Sequence, residues 1–225
     1  MKDKQISENK ASFPAKLIDA ACDLSSFCST DESRKVITGV HFGENGVEAT
    51  DGCMMIRVPY PGYSVDDFPF IQGIGNETQD SILPAKEVSA ALKTIPKKIN
   101  FPILKNAKLT QKVGSESEIQ VTTFDLDNAK TASIKKIDDT YPNLNQVWPT
   151  DEPKLSISLL SKYLKKIADY AEKYGQEQQY GKGVVIKFEF VDELSPARIE
   201  FILDRDMQSH EEARAKIVLM PMRMF

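Results

Sequence analysis

The chain has 225 residues, of which 41% are hydrophobic and 28% are charged, and its formal net charge is −4 at pH 7. This length and composition predict a soluble globular protein with one large or two modest domains. The negative charge excludes a protein that coats nucleic acid through overall positive charge. The sequence contains no apolar run long enough for a membrane span and begins with polar residues, so we expect a cytoplasmic protein without a secretory signal.

The cysteines and histidines give little basis for metal binding or catalysis. Cys22, Cys28 and Cys53 are odd in number and lack Cys-x-x-Cys spacing, which argues against a disulfide framework and a zinc site. The two histidines, His41 and His210, are far apart in the sequence. Pairs of adjacent acidic residues fall in predicted turns, where exposure to solvent accounts for their charge without a catalytic role. We therefore expect no metal, no cofactor and no enzyme activity.

The first part of the chain predicts a helix followed by strands. Residues 1–11 are polar and are expected to be loose. Apolar residues at steps of three and four predict a helix over 13–27. Strands are predicted at 36–42 and 47–50, with a hairpin loop between them, and at 53–58 after a bend at Asp51-Gly52. Residues 63–79 have no clear period and are interpreted as loop or short strand.

Two further cycles have the same order. A helix with an apolar stripe begins near Pro84 and stops at Pro96, and strands follow at 104–111, 118–124 and 130–136. Residues 141–149 are bounded by prolines, and 150–153 are interpreted as a linker. A short strand at 155–157, an amphipathic helix at 158–174 and strands at 184–191, 198–204 and 215–220 complete the third cycle.

Three such cycles predict an internal structural repeat. Each cycle is a βαβββ unit of about 70 residues, and two units pair to bury a common core. The sequence therefore predicts an α+β fold with helices packed on antiparallel sheets. We expect one complete domain over 12–149 and half a domain, a single unit, over 154–225.

Four short segments resemble those of a known family. The run Val-Leu-Met-Pro-Met-Arg-Met at 218–224 resembles the C-terminal signature of the bacterial DNA polymerase III β subunit, the sliding clamp. Thr-Asp-Gly at 50–52 resembles that family's Thr-Asp-Gly-His-Arg-Leu. Tyr-Pro-Asn-Leu at 141–144, with Val-Trp-Pro at 147–149, resembles the segment that leaves the clamp's middle domain, and Ile-Leu-Pro-Ala-Lys at 82–86 resembles its second helix entry. The resemblance implies a DNA-clamp fold, matching the middle domain and the C-terminal half of the last one.

The resemblance also implies a site for partner peptides. In that family these segments converge on a hydrophobic pocket that takes short linear peptides of polymerases, the clamp loader and repair proteins. Cys53 and Met54 stand where the family has histidine and arginine, so the preferred peptide is expected to differ. The positions implied for the pocket are Ile37, Thr50, Gly52, Cys53, Met54, Met55, Pro142, Gln146, Val147, Val218, Met220, Pro221, Met222 and Arg223.

Clamps contact the phosphates of duplex DNA through helices that carry lysine, without reading the bases. In this chain lysines follow steps of four and seven residues opposite the apolar stripes of the second and third helices. Solvation alone also explains lysines on the wet side of a surface helix, and nearby carboxylates dilute the charge. The candidate DNA contacts are Lys86, Lys93, Lys97, Lys162, Lys166 and Lys173.

Two functional hypotheses follow. The first is a non-catalytic, oligomeric processivity factor of DNA replication that associates with duplex DNA and docks polymerase, loader or repair proteins. Because the chain matches only part of a clamp protomer, ring closure would need additional copies or a helper. The second is a non-encircling adaptor or inhibitor that keeps the peptide pocket without forming a ring. The oligomeric state in solution separates the two.

Overall fold

The structure, a computed structural model, describes residues 12–13, 16–44, 46–61, 78–96, 102–112, 114–124, 128–177, 183–204 and 214–222. The predictions for 1–11, for most of 63–79, and for Lys97 and Arg223 lie outside these residues. The chain divides into two compact units, Met1–Trp148 and Pro149–Phe225, which are described separately. Within the described part of the chain, no helix is long and apolar enough to cross a membrane.

The first unit is built on two four-stranded antiparallel sheets and a short two-stranded pair. Its strands are β1 (Ser12–Phe13), β2 (Lys16–Asp19), β3 (Gly39–Phe42), β4 (Gly46–Thr50), β5 (Met55–Pro59), β6 (Thr78–Gln79), β7 (Ser81–Pro84), β8 (Asn106–Gln111), β9 (Glu118–Phe124) and β10 (Ala129–Lys135). The larger sheets have the orders β5-β4-β3-β7 and β10-β9-β8-β2, and β1 pairs with β6. A single α-helix in the described part of this unit, α1 (Ala85–Leu92), follows β7 directly.

One hydrophobic cluster joins both sheets and the helix of the first unit. Phe42 and Leu83 contribute from one sheet, Leu109 and Ile119 from the other, and Val88 from α1. Each is almost fully buried. Burial of a side chain of this size stabilises the fold by about 1.5–3 kcal/mol relative to exposure. Because Val88 belongs to this cluster, the apolar stripe of α1 faces the core.

The other face of the β5-β4-β3-β7 sheet carries polar side chains. In the antiparallel register His41 lies opposite Glu48, and Glu48 lies opposite Arg57. Side chains alternate between the two faces of a strand, so Val47 and Ala49 point into the core while Glu48 points away from it. The three polar residues therefore form a row across the outer face of the sheet.

The second unit combines one α-helix with a three-stranded antiparallel sheet in its described part. The helix is α2 (Ser161–Tyr174), and the sheet order is β11-β12-β13. Ile167 of α2 packs with Ile199 and Leu219 of the sheet. The amide of Gln176 donates to the carbonyl of Ile202 at 2.9 Å, which ties the helix end to the sheet. The strands are β11 (Lys187–Glu189), β12 (Ala197–Ile202) and β13 (Arg214–Leu219).

The α+β class with antiparallel sheets is confirmed, but the helix predicted over 13–27 is wrong. In its place are β2 and two short 3₁₀ turns, Ala20–Cys22 and Ser25–Phe27. Strand β2 pairs with β8 and buries Leu17 and Ile18. The carboxylate of Asp19 accepts a hydrogen bond from the amide of Ala21, and such local side-chain bonds compete with a continuous helix.

Three predicted strands differ in extent. The strand at 36–42 begins only at Gly39, because Glu32–Thr38 is a 3₁₀ stretch capped by Asp31. The strand at 184–191 is reduced to Lys187–Glu189, the only part that pairs with β12. Residues 155–157 form no strand. An alternating segment without a paired neighbour does not hold β structure.

Candidate functional site

The turn at residues 50–54, called the 50–54 turn, is closed by its own side chains. The carboxylate of Asp51 accepts hydrogen bonds from the amides of Cys53 at 2.7 Å and Met54 at 2.9 Å. These amides, Met54 first, hold the pKa of Asp51 below its usual value. The hydroxyl of Thr50 donates to the carbonyl of Met54 at 2.6 Å and accepts from the amide of Gly52. The turn therefore presents the exposed side chains of Cys53 and Met54 from an ordered backbone.

Gly52 fits the turn because of its backbone conformation and its close neighbours. Its φ of +95° lies in the region that favours glycine. A Cβ added there would meet Nη1 of Arg34 at 2.7 Å and Cδ1 of Ile37 at 3.9 Å. Arg34 is held in turn by Asp31 and Ser29, at 3.2 Å each. Ile37 is buried, so it supports the turn from behind.

The segment at residues 141–148, called the 141–148 segment, lies on the outer face of the sheet. The ring of Tyr141 stacks on that of His41, with centroids 4.6 Å apart and planes at 13°. Tyr141, Leu144 and Ile82 form a buried cluster against which Met55 packs. Met55 directly follows the 50–54 turn. The structure thus brings together the first-unit segments that the sequence singled out.

An ion-pair network fixes this contact. His41 lies between two carboxylates, with Nδ1 3.1 Å from Glu48 and Nε2 2.5 Å from Asp80. Burial lowers the pKa of His41, but the hydrogen bonds and charges of Asp80 and Glu48 outweigh it and raise the pKa above the usual value. Arg57 donates from Nε to Glu48 at 2.5 Å and from Nη2 to the side-chain oxygen of Asn145 at 2.7 Å. Arg57 therefore links the sheet to the 141–148 segment.

A groove of about 960 Å³ runs beside this network. Its lining includes His41 and Arg57 of the network, Lys135 and Lys136 at the end of the neighbouring sheet, and residues 137–145. The hydroxyl oxygen of Tyr141 is buried there and makes no hydrogen bond of normal geometry to the described residues, although the backbone amide of Thr50 interacts with it and opposes the rise of its pKa. Burial, its main cause, raises the pKa of Tyr141, so the phenol is neutral at physiological pH.

The end of the 141–148 segment exposes apolar surface. Val147 is 67% exposed, and Pro142 and Gln146 are also exposed. Trp148 is exposed as well, and the guanidinium carbon of Arg57 lies 5.1 Å from its ring centroid. A cation in this position is attracted by the ring face. The contact with Arg57 thus fixes Trp148, and with it the adjacent Val147, at the protein surface.

The C-terminal positions predicted for the pocket belong to the second unit. Leu219, the last residue of β13, is buried opposite Ala197. Val218, Met220 and Met222 are exposed, and Pro221 is half-buried. The amide of Met222 donates to the carbonyl of Ser158 at 2.8 Å. The chain after β13 therefore leaves the sheet in a fixed direction with its methionines open to solvent.

The candidate lysines within the described residues are exposed. Lys86 and Lys93 lie on and just after α1, and Lys162, Lys166 and Lys173 lie on α2. None of the groups near them forms a metal site: the described ranges contain no cluster of three His, Cys, Asp or Glu side chains suited to a metal ion.

The buried thiols are not activated. Burial raises the pKa of Cys22 to about 12 and that of Cys28 to about 11. A thiol is nucleophilic only as the thiolate, so neither cysteine is a nucleophile at neutral pH.

Sequence reasoning missed the polar network. His41, Glu48 and Arg57 occupy outward positions in alternating strands, and this pattern could have indicated their shared face. Asp80 and Asn145 join them from distant parts of the chain. Nothing in the local sequence around these two residues indicates that contact.

Comparison with known proteins identifies the fold. No protein-family profile and no curated protein matches the sequence. The structure is similar to that of a protein assigned as a DNA polymerase III beta subunit of Eubacterium rectale, with a TM-score of 0.55 and 12% identity over 94% of this chain and 52% of that one. A Helicobacter pylori beta clamp bound to a DNA ligase peptide matches with a TM-score of 0.45 and 12% identity, over 91% of this chain and 56% of that one.

The chain therefore spans about half the length of the clamp structures it matches. At 12% identity the similarity concerns the fold. The antiparallel sheets of both units agree with it, and the resemblance drawn from the short sequence segments is confirmed at that level. This chain has the DNA-clamp fold of bacterial DNA polymerase III β subunits.

Proposed function

We propose that this chain is a non-catalytic, clamp-like docking factor of DNA replication. It associates with duplex DNA as an oligomer, without reading the sequence, and binds short linear peptides of polymerase, loader or repair proteins. The observation that carries the proposal is the attachment of the 141–148 segment beside the 50–54 turn. Tyr141 and Met55 share one cluster, and Arg57 connects β5 to Asn145.

The chemistry of this surface suits a peptide. Met54, Val147 and Trp148 offer exposed apolar area, while Arg57 and Asn145 offer polar groups near it. Peptide sites in proteins commonly combine an apolar surface with a few placed polar groups. In the second unit we assign Val218, Met220, Pro221 and Met222 as further peptide contacts, since Val218, Met220 and Met222 are exposed. Flexible, polarizable methionines adapt to different apolar side chains.

A fluorescence titration tests the peptide site directly, because Trp148 is the one tryptophan in the chain. A tryptophan-free clamp-binding peptide from a bacterial DNA polymerase is added to the whole chain, and the emission of Trp148 is followed. We expect a saturable blue shift as the indole loses water. The same peptide with its apolar side chains replaced by serine is the control. The proposal would be contradicted if the intact peptide left the emission of Trp148 unchanged and a direct binding measurement also detected no complex.

The duplex-DNA part of the proposal rests on the exposed lysines of α1 and α2. Each lost phosphate contact lowers the slope of log affinity against log salt by about 0.9. We expect Lys162→Ala with Lys166→Ala to reduce the slope by about 2. Lys165→Ala is the matched control, because its ammonium group is already paired with Asp169 at 3.0 Å. A slope unchanged by the double substitution would remove α2 from the duplex interface.

Retention on circular DNA tests whether the oligomer encircles the duplex. A closed ring stays on a nicked circle and leaves after the circle is linearised. A chain that binds the peptide but is not retained on circles would instead be the non-encircling adaptor.

A further inference from the structure

Tyrosines and lysines form two adjacent stripes along the exposed side of α2. Tyr163, Tyr170 and Tyr174 are separated by seven and four residues and therefore share one face, the tyrosine stripe. They are 38%, 49% and 43% exposed. The lysine stripe, beside it, consists of Lys162, Lys166 and Lys173, which are separated by four and seven residues and are also exposed.

The tyrosine stripe lies at the border of the core of the second unit, and its rings keep a large exposed part. Ile167 and Ala171 are buried on the inner face of α2, and Ile167 packs with Ile199 and Leu219. The inner face is thus already apolar and filled. The exposed parts of the three aromatic rings at the border of this face are available for a ligand.

The rings are held in place before any ligand binds. Tyr170 and Tyr174 contact each other with centroids 4.8 Å apart and planes at 50°. Tyr170 also meets the buried ring of Phe201 edge-on at 6.1 Å, which anchors it to the sheet. Asp204 donates its amide to the carbonyl of Tyr174 at 2.9 Å and fixes the helix end. A ligand that stacks here therefore loses little free energy in ordering the site.

Positive charge accompanies the rings. The ammonium group of Lys162 lies 4.9 Å from the Tyr163 centroid, and that of Lys173 lies 5.0 Å from the Tyr174 centroid. Four lysines against two carboxylates give α2 a net charge of +2, whereas the whole chain carries −4. The face is complementary to a ligand that combines flat π surfaces with negative charge. Nucleic acid is the biological polymer with that combination.

The spacing favours a single strand over a duplex. Along the axis of an α-helix the backbone positions of Tyr170 and Tyr174 are offset by about 6 Å and those of Tyr163 and Tyr170 by about 10.5 Å, and the ring centroids of Tyr170 and Tyr174 are 4.8 Å apart. Bases in a duplex follow each other at about 3.4 Å per strand and hide their faces in the stack. Only a strand whose bases are separated can place one base on each ring. Aromatic platforms next to basic side chains are the usual means of binding such strands without sequence preference.

We infer that α2 binds single-stranded nucleic acid, with bases stacked on the tyrosine stripe and phosphates paired with the lysine stripe. This deepens the DNA association proposed above, and rests on it only in assigning the phosphate contacts to the same lysines. The inference gives the tyrosine stripe a role that duplex binding does not, since contacts to duplex phosphates require no aromatic rings.

Two labelled 12-mers test the inference by fluorescence anisotropy: oligo-dT and an abasic oligomer with the same phosphate backbone. At one fixed salt concentration we expect the whole chain to bind oligo-dT at least about fivefold more tightly than the abasic strand. Tyr170→Leu and Tyr174→Leu should remove most of that preference, whereas Tyr170→Phe, which keeps the ring, should retain it. Lys166→Ala should weaken both oligomers by the same factor.

Equal affinity for the two oligomers would overturn the inference, as would an unchanged preference in the leucine variants. If Tyr170→Leu fails to fold, Tyr163→Leu replaces it and should also reduce the preference, because the ring that meets the buried Phe201 is that of Tyr170. Duplex binding is measured in parallel. If the unmodified chain binds oligo-dT and the abasic strand equally but still binds duplex DNA, only this inference is overturned. Base preference without duplex affinity supports it and overturns the duplex proposal.

Discussion

The ring of Tyr141 lies flat on the ring of His41, with centroids 4.6 Å apart and planes at 13°. The contact joins the outer face of β3 to a segment far along the chain, and it is flanked by Glu48 and Asp80. Leu144 and the contacts of Arg57 with Asn145 hold the same segment. The position of the proposed peptide site therefore depends on the stacked pair and on these contacts.

Removing the Tyr141 hydroxyl should not destabilise the protein. The oxygen is buried and makes no hydrogen bond of normal geometry within the described part of the chain, and an unsatisfied buried polar group costs about 1–3 kcal/mol. We expect Tyr141→Phe to be neutral or stabilising in urea unfolding, whereas Tyr141→Ala should lose about 3–5 kcal/mol, the usual range for a large buried aromatic ring. A loss of 1 kcal/mol or more in Tyr141→Phe would show that the hydroxyl makes a productive bond.

The stability of the first unit should depend on the protonation of His41. Burial lowers its pKa, but Asp80 and Glu48 favour the imidazolium and raise the pKa in the folded protein above the ordinary value of 6.5. A raised pKa contributes stability that is fully present below pH 6.5 and is lost as pH rises through the folded value. We expect His41→Gln to flatten this decline, measured by urea unfolding from pH 6 upward.

The same shift can be followed by NMR titration of the imidazole. Asp80→Asn removes the partner at 2.5 Å while Glu48 remains. We expect the His41 pKa to fall in this variant. A titration that does not move would mean that Asp80 does not act on the imidazole in solution.

Arg57→Lys should loosen the end of the 141–148 segment. Lysine cannot contact Glu48, Asn145 and the Trp148 ring together, because it lacks the planar fork of arginine. We expect acrylamide to quench Trp148 more strongly in this variant. Arg198→Lys in the second unit, where arginine lies 3.6 Å from Glu189, is the control and should leave quenching unchanged. Equal quenching in all three proteins would refute the bracing role of Arg57.

Gly52→Ala should cost more stability than Gly114→Ala. Both glycines have positive φ, +95° and +77°, and alanine is strained at either by about 1–2 kcal/mol. A Cβ at Gly114 meets nothing within 4 Å, but at Gly52 it displaces the guanidinium of Arg34. We expect the loss of stability at Gly52 to exceed that at Gly114 by up to about 1 kcal/mol, since the displaced ion pair between Arg34 and Asp31 is exposed. Equal losses in urea unfolding would show that Arg34 moves aside freely.

The sequence predicted the parts of the fold in which local pattern and packing agree. Strand β9 alternates buried and half-buried residues along its length, and α2 has a continuous apolar stripe around Ile167, so both were found. At Leu17 and Ile18 the same short apolar run suits a helix or a strand. Pairing with β8, distant in sequence, decides for the strand.

For the site, the sequence indicated the segments but not what fixes them. The 50–54 turn is specified locally, because Thr50 and Asp51 bond to their own neighbours. The attachment of the 141–148 segment is not, because Arg57 and Asn145 are far apart in the chain. The alternation of side chains along β3 shows that His41 faces outward, but it does not show that Tyr141 stacks on it.

The most direct test of the account is the affinity of a labelled clamp-binding peptide for the whole chain and for Met220→Ala and Met222→Ala. Both methionines are exposed, so the substitutions should leave folding intact. We expect each to weaken binding at least about fivefold, while Leu194→Ala, an equally exposed apolar control in the same unit, leaves it unchanged. Wild-type affinity in both methionine variants would contradict the proposed peptide site.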